Sequence, residues 1–318
     1  MSKTALVIEP YSHKINRRNM PLIPNKNWYV STLFLTTIIT MASAGNNQPQ
    51  NKPALYVAIG EPNGPMVNAE EIKPPQTDGL KIVVVTHGWI DWTPWPGNLA
   101  MALRDKVDAN EWVCGWFDWR NEARVDNPRD AAQYARDTAG KMLAEHILRL
   151  SKNPRHVHLI GHSAGCWVIT EAAKIIAKQT NASIHLTFLD AYVPLGWDAN
   201  ELGNVVVEPN RIYWADHYLT QDITLDVTYC RLAHAHNVDI GDITPGVKDH
   251  RFPFHWFPAT VLGKYDPKDK YTGKTLYCKS GDIEYGFARS LESGKQNWSK
   301  SLTLPMGGEA LKIEKPAK

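Results

Sequence analysis

Apolar residues in this chain fall into two patterns. Residues 80–86, 112–117, 156–160 and 184–189 are short, nearly continuous Val/Ile/Leu/Phe runs, the pattern of strands buried on both faces. Between them, 99–107, 128–150 and 166–178 carry apolar positions at helical spacing, the second opening on Pro128, a residue favoured at a helix start. Strands and helices that alternate in this way predict a mostly parallel sheet covered by helices on both faces, so the fold class is α/β. A further strand is expected at 54–59, before the Pro/Gly-rich loop 61–75. From residue 194 the pattern loosens, with strands expected at 211–214 and 225–232 and a helix at 256–262. Beyond Gly263 the Lys/Asp/Gly/Pro-rich tail has no stretch long enough for a domain of its own. The expected organisation is one domain over 53–265 followed by an extension, 266–318.

One strand ends in a way that changes the picture. Val157-His158-Leu159-Ile160-Gly161-His162-Ser163-Ala164-Gly165 places a serine between two glycines, with a strand before it and a helix after it. This is the pattern of a nucleophile elbow, a turn so tight that strand and helix approach closely only if the flanking side chains are absent. A serine at its free pKa is a poor nucleophile, so Ser163 needs a base and an acid to orient that base. His162 points away from its neighbour in such a turn. Downstream, His250 follows the Gly/Pro loop 241–246 and precedes the last helix, which makes it the preferred base over His255, set among aromatics one turn later. Two aspartates are candidates for the acid. Asp190 ends the strand 184–189 at the sheet edge where α/β folds gather functional groups, and Asp239 lies just past the next long strand. Upstream, Val83-Val84-Val85-Thr86-His87-Gly88-Trp89 ends a buried strand in a His-Gly turn. The backbone amides of Trp89 and Ala164 would form the oxyanion hole, with His87 locking the loop. Trp92 and Trp95 are either ordinary core or an apolar wall for substrate.

These segments resemble the animal pancreatic and lipoprotein lipase family. The resemblance rests on Thr86-His87-Gly88-Trp89-Ile90-Asp91, Trp116-Phe117-Asp118-Trp119, the elbow, Leu189-Asp190-Ala191 and Asp249-His250, in that order, across about residues 80 to 262. It implies an α/β-hydrolase fold, ester hydrolysis, and Asp190 as the acid, because the family places its acid after the strand that follows the nucleophile helix, in a Leu-Asp-Pro sequence. The chain departs from the family in three respects. Ten residues separate Asp239 from His250, too few for the family's disulfide-closed lid, and neither its C-terminal β-sandwich nor its calcium segment is matched. A lidless esterase or phospholipase-like enzyme without calcium is the expectation.

The remaining features bear on compartment and partners. Residues 28–44 form an apolar stretch short for a membrane span and ending in Ala42-Ser43-Ala44, which reads as a secretory signal peptide over 1–44, with a polar linker at 45–52. Its removal takes away Lys3, Lys14, Arg17, Arg18, Lys26 and Glu9, and turns the formal net charge from +2 to −2. No basic stripe then points to nucleic acid. A secreted or periplasmic protein with no stable membrane span is expected. The four cysteines have no metal-binding spacing, and neither a metal nor a cofactor is expected. Cys114 and Cys166 read as small buried hydrophobes, and Cys230 with Cys278 as the better disulfide candidates. Asn181 and Asn297 head glycosylation sequons. The combined reading is a secreted serine hydrolase that cleaves small-molecule or lipid carboxylic esters through an acyl-enzyme. An amidase or peptidase, a non-catalytic binding protein on the same scaffold, and an anchored structural protein with 28–44 uncleaved are the alternatives.

Overall fold

The β-branched and aromatic runs assemble into one large sheet. The computed structural model describes residues 52–58, 66–71, 78–222, 228–295, 299, 302–313 and 315, all within the unit Gln50–Lys318. The expected leader 1–44, the linker up to residue 51 and the Asn297 sequon lie outside the described residues. The strands are β1 (Ala54–Ala58), β2 (Met66–Asn68), β3 (Lys81–Thr86), β4 (Trp112–Asp118), β5 (His156–His162), β6 (Ser183–Leu189), β7 (Tyr213–Leu219), β8 (His236–Asp239), the short pair β9 (Lys279–Ser280) and β10 (Ile283–Glu284), and β11 (Leu311–Lys312). Nine of them form a sheet in the order β11-β8-β7-β6-β5-β3-β4-β1-β2. From β4 through β3 to β8 and β11 neighbours run parallel, and only β1 and β2 pair antiparallel. The chain therefore leaves β3, β5, β6 and β7 at one edge of the sheet, which collects their connecting loops.

Alternation along the strands divides two cores. Ile82 and Val84 face a core with the helices Pro128–Tyr134, Gly140–Leu150 and Gly165–Gln179. Val83 and Val85 face the other, covered by the helices Trp95–Arg104 and Phe252–Leu262. The single helix expected over 128–150 forms in two parts joined by a π turn, Ala135–Ala139. It starts where Asn127 accepts a hydrogen bond from the Asp130 amide (2.9 Å) and Pro128 takes the first turn. No helix among the described residues is long and apolar enough to cross a membrane.

Several expectations give way. Residues 223–227 of the strand expected at 225–232 lie outside the described residues, and its described remainder is a loop. The Asn237 side chain bonds Leu232 N and O (both 3.0 Å) and Ala235 O (3.3 Å), closing this stretch into a turn whose Leu232 and Ala235 plug the core. The strand forms instead at β8. All four cysteines are free. Cys230 packs against one core and Cys278 against the other, so the sheet separates the pair expected to form a disulfide. The sheet also continues past residue 265, because β11 pairs with β8 and Ile313 is fully buried beside it.

The C-terminal stretch also covers a polar row. His158 on β5 lies opposite His185 on β6, and Thr187 opposite Asp216 on β7. His158 bonds Glu292 through Nδ1 and the Thr187 hydroxyl through Nε2 (2.9 Å), while Arg289 bonds Asp216 through Nε (2.8 Å) and its terminal nitrogen. Burial lowers the His156 pKa to about 3 and those of His185 and His217 to about 4. Burial alone would raise Glu292, but the neighbouring His158 imidazole holds it down to about 2. The three histidines ionise near their usual 6.5 once unfolded, so below that pH the unfolded chain binds more protons than the folded one. Stability is therefore expected to fall as pH drops from about 6.5 towards 4, with Glu292 adding the same sign from about 4.5 down to 2. Urea unfolding at pH 7, 5.5 and 4.5 checks this, and an unchanged midpoint across the series contradicts it.

Candidate active site

Ser163 sits at the junction of β5 and the helix Gly165–Gln179 with φ 54°, in the left-handed region that a side chain occupies only under strain. The turn is held by backbone bonds: Ser163 N donates to Leu189 O (3.0 Å), and Ser163 O accepts from Cys166 N (3.1 Å) and Tyr192 N (3.3 Å). A Cβ on Gly165 would collide with the His87 carbonyl oxygen, and one on Gly88 would meet the Ser163 Cβ at 2.8 Å and the Ala164 amide nitrogen at 3.4 Å. Glycine at these two positions lets the His87-Gly88-Trp89 loop lie directly against the serine.

That loop is locked from several sides. His87 Nδ1 donates to Gly88 O (2.9 Å), which leaves Nε2 to accept the Trp119 amide (3.1 Å), and the Trp119 indole donates to His87 O (3.1 Å). The Trp89 indole donates to Val125 O (2.8 Å). The amide of Ala164, at the positive end of a 15-residue helix, is beside this loop.

Asp190 follows β6, also at positive φ (48°), and is fully buried. Its Oδ1 accepts the Thr220 amide, and its Oδ2 accepts the Thr220 hydroxyl and His250 Nδ1, each at 2.9 Å. With its Nδ1 proton directed at a carboxylate, His250 presents Nε2 as the free lone pair. His162 Nε2 donates to His250 O (3.1 Å), and the two rings lie 4.6 Å apart, which ties the histidine loop to the residue preceding Ser163. The ring of His217 steadies the Asp190 turn by accepting the Ala191 amide (3.2 Å) and donating to Asn237 Oδ1 (3.0 Å).

The other proposed participants lie elsewhere. Asp239 accepts from Gln221 Nε2 and Gly241 N (both 2.8 Å) and does not bond His250. Its pKa is raised by burial. His255 pairs with Asp269 (2.6 Å). Trp95 is buried, stacked on Phe254 at 5.2 Å and edge-on to His162, so it is packing behind the elbow and not the wall of an open pocket. Trp92 is 50% exposed under the Arg124 guanidinium and lines a cavity of about 260 Å³ with Lys52, Tyr56, Asp118, Arg120 and Glu122. This cavity is charged, unlike the expected apolar wall. Thr220, Asp222 and His217 were missed by sequence reasoning, since none belongs to a motif.

One group among the described residues brings metal-type donors together: His158, His185 and Glu292. The two rings stack face to face at 3.8 Å, so an ion bound by both would sit far out of each ring plane, and the Arg289–Asp216 pair adjoins them. The cluster is an ion-pair network.

A family model described as the alpha/beta hydrolase family matches residues 82–272. This chain belongs to that family. No curated protein matches this hydrolase in sequence. Among solved structures it is similar to a poly(3-hydroxybutyrate) depolymerase from Bordetella parapertussis, at 13% identity over 60% of this chain and 72% of that one, TM-score 0.30. It is also similar to esterase 2 of Thermogutta terrifontis (14% identity, 70% and 94% of the chains, TM-score 0.32) and to a thermostable esterase from Pseudomonas putida ECU1011 (16%, 53% and 53%, TM-score 0.27). The mostly parallel sheet of this alpha/beta hydrolase, with its loops at one edge, agrees with the fold expected from the strand and helix rhythm.

Proposed function

We propose that this hydrolase is a serine esterase of the lipase type, acting through an acyl-enzyme on small-molecule or lipid carboxylic esters. Ser163 Oγ attacks the ester carbonyl while His250 Nε2 takes its proton. The amides of Trp89 and Ala164 hold the oxygen that becomes negative in the tetrahedral intermediate. The intermediate collapses as His250 passes the proton to the departing alkoxide, leaving Ser163 acylated. Water then attacks the acyl group with His250 as base, which releases the acid and restores the serine. Asp190 accepts from Nδ1 and holds the imidazolium that forms at each half-reaction. No cofactor enters these steps. The protein is secreted or periplasmic, residues 1–44 serving as a removable leader.

The observation that carries this reading is the 2.9 Å bond from His250 Nδ1 to the buried Asp190, in a loop tied through His162 to the turn that carries Ser163 at φ 54°. A fluorophosphonate probe tests it, because it phosphonylates only a serine activated by a neighbouring base. The expected result is a single adduct on the peptide bearing Ser163, together with turnover of p-nitrophenyl acetate or butyrate. An unlabelled Ser163 in folded protein that turns over no ester across a panel of chain lengths contradicts it.

A further inference from the structure

The bond network around His250 extends beyond Asp190. His250 N donates to Asp222 Oδ2 at 3.1 Å, and the Asp222 residue is only 6% exposed. Asp222 lies two residues after Thr220, which gives both its amide and its hydroxyl to Asp190. Between them Gln221 takes φ 52°, and its side chain is pinned by Asp239 at 2.8 Å. Asp239 in turn accepts the Gly241 amide at the start of the loop that leads to His250. Thr220 and Asp222, on either side of Gln221 just after β7, thus grip both partners of the candidate acid–base pair, one through its carboxylate and the other through its backbone amide.

We infer that Asp222 is a positioning residue: by accepting the His250 amide it fixes where the loop carries the imidazole, whose Nδ1 meets Asp190 and whose Nε2 is the proposed base for Ser163. The inference rests on the esterase reading above. A buried carboxylate on a backbone amide forms a charge-assisted bond with one preferred geometry. The His250 backbone is tied to it at N and to His162 at O, which leaves the residue little freedom to rotate or slide. The Asp239–Gln221 contact keeps Asp222 in this bracket, which gives Asp239 a place in the site without contact to the imidazole.

The test compares Asp222→Ala, Asp222→Asn and Asp222→Glu on a short p-nitrophenyl ester, with active sites counted by fluorophosphonate titration. Asn keeps an acceptor oxygen at the same reach, Glu displaces it by one methylene, and Ala removes it. Misplacing a reacting group by about 1 Å can cost roughly 100-fold in rate, so kcat per titrated site is expected to fall about 10- to 100-fold in the Ala and Glu variants, with KM within about threefold. Asn is expected to restore kcat to within about fivefold, since its side-chain oxygen still accepts the His250 amide, through a weaker bond than the carboxylate makes. A kcat for Ala within twofold of the parent, or an Asn variant no better than Glu, overturns the inference. If Ala does not fold, the Asn–Glu comparison decides alone. Ser163→Ala run alongside separates the two levels: an inactive Ser163→Ala with a parent-like Asp222→Ala refutes only the role of Asp222, whereas an active Ser163→Ala refutes the esterase reading.

Discussion

Ser163→Ala is expected to lower kcat on short esters by about 10⁵- to 10⁶-fold, leaving only the residual rate that substrate positioning and oxyanion donors provide. The change removes one oxygen and leaves the strained turn intact, since alanine meets the same steric cost at φ 54° as serine does. The loss should therefore come without a comparable loss of stability, and thermal unfolding should show a transition close to that of the parent. Because the serine and histidine act as a unit, adding His250→Ala to Ser163→Ala should cost almost nothing further. Steady-state kinetics on purified, folded variants checks both statements. A single variant that retains a tenth of the parent rate would mean another nucleophile does the work.

The second large effect concerns stability. Arg289→Ala is expected to destabilise the domain by about 3–5 kcal/mol, because it leaves the Asp216 carboxylate buried with its guanidinium partner gone. Arg289 is held by Nε and a terminal nitrogen on one Asp216 oxygen and lies over the Tyr285 ring at 5.5 Å, so the truncation also opens packing. The remaining neighbour, His185, sits 3.4 Å from Asp216 with its own pKa depressed by burial, and is poorly placed to supply the missing charge. Replacing both partners with apolar residues, Arg289→Met with Asp216→Leu, should cost less than the single change. Lys312→Ala, which removes one member of an exposed pair with Asp242, should shift stability by less than about 1 kcal/mol. Urea unfolding of the four proteins tests the ranking, and equal losses for Arg289→Ala and Lys312→Ala would contradict it.

Legibility in the sequence followed the physics of each element. Short, β-branched apolar runs such as Val83-Val84-Val85 fit strands buried on both faces, and their alternation with amphipathic helices left little choice of architecture. Gly161-His162-Ser163-Ala164-Gly165 was readable because a strained turn demands glycines at fixed spacing. Strand pattern alone left Asp190 and Asp239 open, since both end a strand; the resemblance of Leu189-Asp190-Ala191 to a Leu-Asp-Pro sequence favoured Asp190, and the course of the chain brings that residue to His250. Leu232 misled because an apolar residue that plugs a core from a loop is indistinguishable in pattern from one in a strand. Trp95, open in the sequence between ordinary core and pocket wall, is interior packing. Arg289 and Glu292 gave no signal at all. In a polar tail they resemble solvated side chains, and their partners are histidines and an aspartate on three different strands.

The covering of the His158–His185–Asp216 row by residues 286–293 has a consequence for the order in which the chain matures. During translation Ser163, Asp190 and His250 all leave the ribosome before the segment that neutralises the sheet beneath them. Until Arg289 and Glu292 arrive, the buried acid on β7 and the imidazoles on β5 and β6 must remain wet. The nascent domain therefore stays short of its native core with every proposed reacting group already made, and it closes only when residues 286–293 are in place.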